Sequence, residues 1–158
     1  MGANASIIVK GFAEKNQFVE LKKYLDNNHI ARGPGGDIDQ VDDFGWSGVY
    51  FASSTGSLDC LKILLDHGAS IRLTDNDGQQ PALVAAREGK LDCLELLLDA
   101  SANINFQDYY GNTCLHLASH NGHYDCCRVL MKKGADTTIR NKVFFYSSSF
   151  IFTLFILN

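Results

Sequence analysis

A surplus of positive charge is missing from this sequence: 14 lysines and arginines stand against 18 aspartates and glutamates, a formal net charge of −4. Nucleic-acid binding needs a basic face, so neither DNA nor RNA is expected as a partner. No signal-peptide core opens the chain, and the expectation is a cytoplasmic protein. No nucleophile, base and orienting group stand in a recognisable set, and no pair of carboxylates stands apart from turn positions. Neither a catalytic residue nor a cofactor is therefore expected. The glycine-rich run Arg32-Gly33-Pro34-Gly35-Gly36 is not followed by GK[ST] or by a helix start, so it reads as a lengthened turn and not as a phosphate cradle.

Cysteine is present in an odd number, five. Cys60, Cys93 and Cys126 fall 33 residues apart. Structural units of that size stack about 10 Å apart, farther than the Cα separation a disulfide tolerates. All five cysteines are read as small buried residues of a reducing compartment.

What the chain does have is a period. Residues 108–136 read as a turn, a short helix, a tight link, a second helix and a glycine stop. Shifting this stretch back by 33 residues, and then by 33 again, keeps the pattern in register. Gly45, Gly78 and Gly111 coincide, as do Ala52, Ala85 and Ala118; Gly56, Gly89 and Gly122; and Leu64, Leu97 and Leu130. Self-similarity at such a period marks a solenoid. Hydrophobic residues at 46% and charged residues at 20% suit a folded chain.

Each unit opens with Asp-x-x-Gly, where glycine supplies a positive φ. Ser47 and Thr113 are placed to N-cap the first helix, while Pro81 occupies a first turn, where its missing N–H does no harm. Second helices are expected at Leu58–Asp66, Leu91–Asp99 and Tyr124–Lys132. Gly68 and Gly134 should end theirs, with Ser101 a poorer stop. Upstream, residues 12–28 place Phe18, Leu21, Tyr24 and Leu25 on one helical face, aligned with residues 52–68 at an offset of 40. The expected organisation is a flexible start at 1–11, a degenerate capping repeat at 12–41, repeats at 42–74, 75–107 and 108–141, and a non-repeat hydrophobic tail at 142–158.

Gly111-Asn112-Thr113-Cys114-Leu115-His116-Leu117-Ala118, with Gly122-His123 and Gly134-Ala135-Asp136, resembles the ankyrin repeat. The middle unit keeps Gly78, Pro81, Ala85-Ala86 and Gly89 but has Leu83 in place of the histidine. The first is more divergent at Gly48-Val49-Tyr50-Phe51-Ala52. The resemblance implies an all-α solenoid of stacked helix-turn-helix units with β-turn tips. It further implies a non-catalytic scaffold or adaptor, expected as a monomer, that binds a protein partner through the tips and the exposed face of the first helices. Carried over by position, the tips are Asp43, Phe44, Trp46, Asn76, Asp77, Gln79, Tyr109, Tyr110 and Asn112. The helix positions are Ser54, Thr55, Arg87, Glu88, His120 and Asn121. Four of the tips are aromatic, which the repeat pattern does not require, and aromatics are favoured interface anchors. Trp46, Tyr109 and Tyr110 are the expected hot spots.

His116, His120 and His123 form H-x-x-x-H-x-x-H, but the resemblance makes His116 and His123 ordinary repeat positions, the first of them bracing neighbouring turns, and no metal is expected. Met1-Gly2-Ala3-Asn4-Ala5-Ser6 fits the myristoylation pattern at Gly2, so membrane attachment is expected only through acylation of Gly2 or anchoring by the tail. That tail, residues 143–158, has eleven apolar residues among sixteen and no charge. It is shorter than the roughly 18–20 residues that span a bilayer. Phe144 and Ile151 occupy slots where a further repeat would need glycine and alanine, so no fourth repeat is read. The expectation is that the reading frame departs from the coding frame near Lys142 and that the natural protein continues. An alternative role is then the regulatory array of a larger enzyme or channel.

Overall fold

The computed structural model describes residues 5–27 and 37–142. Gly2, most of the glycine-rich insertion and the hydrophobic tail lie outside the described residues. Among those described there are eight α-helices and no β-strand: α1 (Ala5–Glu14), α2 (Phe18–Asn27), α3 (Gly48–Thr55), α4 (Leu58–Asp66), α5 (Pro81–Arg87), α6 (Leu91–Asp99), α7 (Cys114–His120) and α8 (Tyr124–Lys132). A 3₁₀ turn, Asp37–Asp39, follows the first pair. The second helices have the bounds expected from sequence.

Helix starts and stops follow local chemistry. Ser47 Oγ accepts the Tyr50 N–H at 3.2 Å, and Thr113 forms a reciprocal capping box with His116. Pro81 opens α5 at a position where no intrahelical donor is needed. At the ends of the second helices, Gly68 and Gly134 adopt φ of 80° and 88°. Ser101 is held in the same left-handed region at 69°, a conformation that costs an L-residue about 1–2 kcal/mol.

The helices form two layers. α1, α3, α5 and α7 contact one another in sequence, and α2, α4, α6 and α8 lie alongside them in the same order. Ala52, Ala85 and Ala118 are fully buried, and their small side chains let the first helices approach closely. The second helices fill the stack with Leu61, Leu64, Leu94, Leu97 and Leu130, all at 0% exposure. Burial of each contributes about 1.5–3 kcal/mol.

The amino-terminal end corrects one expectation. α1 begins at Ala5, so residues 5–11 are helical rather than a flexible lead-in. Val9 and Ala13 are buried, Ser57 Oγ donates to the Ala13 carbonyl at 2.6 Å, and Lys10 Nζ stands 4.5 Å from the Phe51 ring centroid. α1 thus takes the first-helix slot of the capping pair. Ala5, the fifth residue of the acylation pattern that begins at Met1, already belongs to this helix. On α2, Leu21 and Leu25 are buried as expected, but Phe18 remains 40% exposed. Among the described residues no repeat precedes it to cover that edge.

Candidate functional site

The turns are built around aspartate side chains. Asp42 Oδ1 accepts the N–H groups of Phe44 and Trp46 at 2.9 and 3.0 Å. Asp75 Oδ1 accepts those of Asp77 and Gln79 at 3.0 and 2.7 Å, and Asp108 Oδ1 accepts those of Tyr110 and Asn112 at 2.9 and 2.8 Å. These carboxylates serve the backbone, which explains their recurrence. Gly45, Gly78 and Gly111 close the turns with φ of 79°, 76° and 79°. A Cβ on Gly45 would also lie 2.9 Å from Asp75 Cα, so conformation and space both demand glycine there.

Each turn is tied to the next. Asn76 N donates to Phe44 O at 3.1 Å, Tyr109 N to Asp77 O at 3.0 Å, and Lys142 N to Tyr110 O at 2.9 Å. Donors and acceptors step along the chain by 33 residues, so the tips form one hydrogen-bonded row. A row of this kind holds its side chains at fixed spacing and loses little freedom on binding.

The family model for ankyrin repeats, in three copies, matches residues 12–108 and 68–141. The chain belongs to the ankyrin-repeat family. No curated protein matches it. Ankyrin repeats are in general protein–protein interaction modules, and the family is typically non-catalytic.

Within this ankyrin array the four aromatic tips have different fates. Phe44, Tyr109 and Tyr110 stand out at 60%, 62% and 57% exposure. Trp46, expected to project, is instead half-buried. It stacks on Tyr50 at 5.3 Å and 10° and meets Phe51 edge-on at 5.4 Å, while Phe44 leans against it at 5.0 Å. Position explains the difference: the last tip residue before the helix points back toward the first-helix layer. Gln79, in the corresponding slot of the middle repeat, is likewise not a projecting tip but 6% exposed. Asn112, in the third, donates to Asp108 Oδ2 at 3.2 Å and accepts from Asn141 Nδ2 at 2.9 Å.

Among the other tips, Asp43, Asn76 and Asp77 are exposed. Asn76 Nδ2 reaches the Asp43 carbonyl at 3.1 Å. Tyr110 Oη donates to Asp77 Oδ1 at 3.3 Å, and the nearby Asp77 charge, together with this bond, raises the Tyr110 phenol above its ordinary pKa. Tyr109 lies against Gly78, with ring carbons 2.6–2.8 Å from where a Cβ on that glycine would be. It folds over the preceding turn and still exposes most of its surface.

The helix-face residues differ in exposure. Arg87 is corrected from a presented residue to an internal brace. Its Nη1 donates to Gln79 Oε1, Nη2 to Tyr50 Oη at 3.4 Å and Nε to Glu88 Oε1 at 2.9 Å. Gln79 Nε2 continues the chain to Asp108 Oδ2 at 3.3 Å. A half-buried polar line thereby crosses all three regular repeats, and burial pushes the Tyr50 phenol up to about 12. Thr55 Oγ1 turns back to the Phe51 carbonyl at 2.9 Å, Asn121 Nδ2 to the Leu117 carbonyl at 2.8 Å, and Ser54 is half-buried. Thr55, Glu88, His120 and Asn121 remain exposed. The line through Tyr50 and Arg87 went unread in the sequence. The 33-residue register does place Tyr50, Leu83 and His116 in one slot, which was the available signal.

The three histidines do not converge. His116 is buried and bonds Thr113 through Nδ1 at 2.9 Å. His120 is exposed, and His123 Nε2 contacts the Arg87 carbonyl at 2.8 Å. All five cysteines are free and buried. Burial pushes Cys60, Cys93, Cys126 and Cys127 up to about 11, and Cys114 up to about 12. A shallow cleft of about 240 Å³ has His123 and Cys126 on its wall. With that imidazole bound to a carbonyl and that thiol protonated near neutral pH, the pair lacks the thiolate an activated cysteine requires. No helix among the described residues is long and apolar enough to cross a membrane.

Proposed function

We propose that this array is a non-catalytic scaffold or adaptor that binds a protein partner on its turn tips. The observation that carries the reading is the exposure of Phe44, Tyr109 and Tyr110, each more than half open, on a row locked by repeat-to-repeat hydrogen bonds. Large aromatics that contribute little to the core, held rigidly on a surface, suit the anchoring role such residues play at interfaces. On the inner helix face Arg87 contributes less, because its guanidinium is engaged within the array.

Affinity capture from a cell extract with the wild-type chain, followed by Phe44→Ala and Tyr110→Ala, tests this. Each substitution should weaken a captured partner by about 2 kcal/mol, roughly thirtyfold, with an unchanged circular dichroism spectrum. Equal recovery of every partner by wild type and both variants would remove the tips from the binding surface. Trp46→Ala is the wrong probe, because Trp46 sits in the ring cluster that holds the first repeat together.

A further inference from the structure

The tip between the second and third repeats joins three groups that nothing in the repeat pattern requires. Tyr109 and Tyr110 are both tied to Asp77 of the preceding repeat, the first through its backbone N–H to the Asp77 carbonyl at 3.0 Å, the second through its phenol to Asp77 Oδ1 at 3.3 Å. Tyr109 is seated against Gly78, so one side of its ring is fixed while 62% of the residue stays open. Asp77 is exposed, and among the described residues no lysine or arginine lies within ion-pair distance of it.

Resting on the tip-binding reading above, we propose that Asp77, Tyr109 and Tyr110 together receive a lysine or arginine side chain of the partner protein. The three groups are contiguous, so a partner that covers the two rings also covers the carboxylate. An apolar partner would strand that charge out of water without a counter-ion, which is strongly unfavourable. An acidic partner would add repulsion. A basic side chain satisfies both demands. It pairs with the carboxylate oxygen that the Tyr110 phenol leaves open, and its cation rests against the electron-rich face of a tyrosine ring. The raised pKa of the Tyr110 phenol agrees with a negative field at this point of the row. The corresponding tip one repeat earlier differs: Phe44 stands where Asp77 does, and Asn76 Nδ2 binds the Asp43 carbonyl. At the second junction the carboxylate is bonded by a ring phenol of the next repeat.

The test uses the full 158-residue chain and two capped peptides, hexaarginine and hexaglutamate, with backbone amide shifts as the readout. Hexaarginine is expected to shift the amides of Asp77, Tyr109 and Tyr110, and hexaglutamate to leave them in place. Asp77→Asn should weaken hexaarginine at least tenfold. Asp92→Asn, which removes the same charge from the start of α6, should change it less than twofold. Tyr110→Leu, which keeps apolar bulk but removes the ring, should weaken it at least fivefold and serves if the Asp77 variant does not fold. Equal losses from Asp77→Asn and Asp92→Asn, or shifts centred elsewhere, would overturn the proposal, since net charge alone would then explain binding. A captured partner that depends on Tyr110 but not on Asp77 would also overturn it, while leaving the tip-binding reading intact.

Discussion

The first and third regular repeats each carry aromatic residues at their turn tips and use them in opposite ways. In the first, Trp46 turns inward and joins Tyr50 and Phe51 in a ring cluster, with only Phe44 left outside. In the third, the same slot holds Asn112, and the rings stand two and three positions earlier, at Tyr110 and Tyr109, with more than half of each exposed. A difference of two to three positions along a turn separates an aromatic that holds the fold from one that stays open to solvent. A tip aromatic cannot be assigned to binding without knowing which slot of the turn it fills.

The two repeats also differ in their thiols, and pH should expose that difference with the largest effect. The third repeat holds Cys114, Cys126 and Cys127, and the first only Cys60. Each is pushed above its ordinary value of 9 to about 11 or 12 by burial. A folded-state pKa raised above the unfolded value means that the folded form holds its proton longer. The stability these groups contribute is complete below about pH 9 and is lost as pH rises toward 11–12. Urea midpoints should therefore be flat up to pH 9 and fall steeply above it. Helical ellipticity should be lost before the fluorescence of Trp46, the only tryptophan, which reports on the first repeat. A flat midpoint through pH 11 would contradict the burial of the thiols.

Trp46→Ala should come next, costing about 3 kcal/mol through the cavity left among Phe44, Tyr50 and Phe51. Tyr110→Ala should shift the same urea midpoint by less than about 0.5 kcal/mol, as for other exposed side chains. Similar costs for the two would erase the distinction between the repeats. Arg87→Met keeps the length of the side chain but leaves Gln79 and Tyr50 without their shared donor. Denaturation should show a loss of about 2 kcal/mol, in the range for stranding buried polar partners. The smallest effect is a gain. Ser101→Gly should stabilise the array by about 0.5–1 kcal/mol, the relief of left-handed strain less the added freedom of the unfolded chain. Its melting temperature should rise accordingly, with no change in partner capture.

Much of this architecture was legible in the sequence because a repeat reports itself several times over. The glycines of the turns, the alanines of the first helices and the bounds of α4, α6 and α8 follow from register alone. So does the reading of Cys60, Cys93 and Cys126 as buried. The first repeat was harder. α1 was missed because it lies largely beyond the alignable repeat, although Val9, Phe12 and Ala13 stand at helical spacing and pack on the core. The site was only partly legible. Phe44, Tyr109, Tyr110 and Asp77 lie at the exposed tips where they were expected, but Trp46 turns onto Tyr50 and Phe51 of its own repeat, and Gln79 and Arg87 turn toward neighbouring repeats.

The sequence by itself determined the period, the helix pairs and the chemistry of the turns, since these depend on residues within a few positions of one another: an aspartate reaching the N–H groups two and four residues on, a glycine at positive φ, a serine or threonine at a helix start. Only the tertiary structure decided which tip residues are presented and which are absorbed. For Gln79 and Arg87 that choice depends on contacts between residues 29 to 37 positions apart, Arg87 with Tyr50 and Gln79 with Asp108. Spacing within one repeat says nothing about where a long side chain will find its partner in the next.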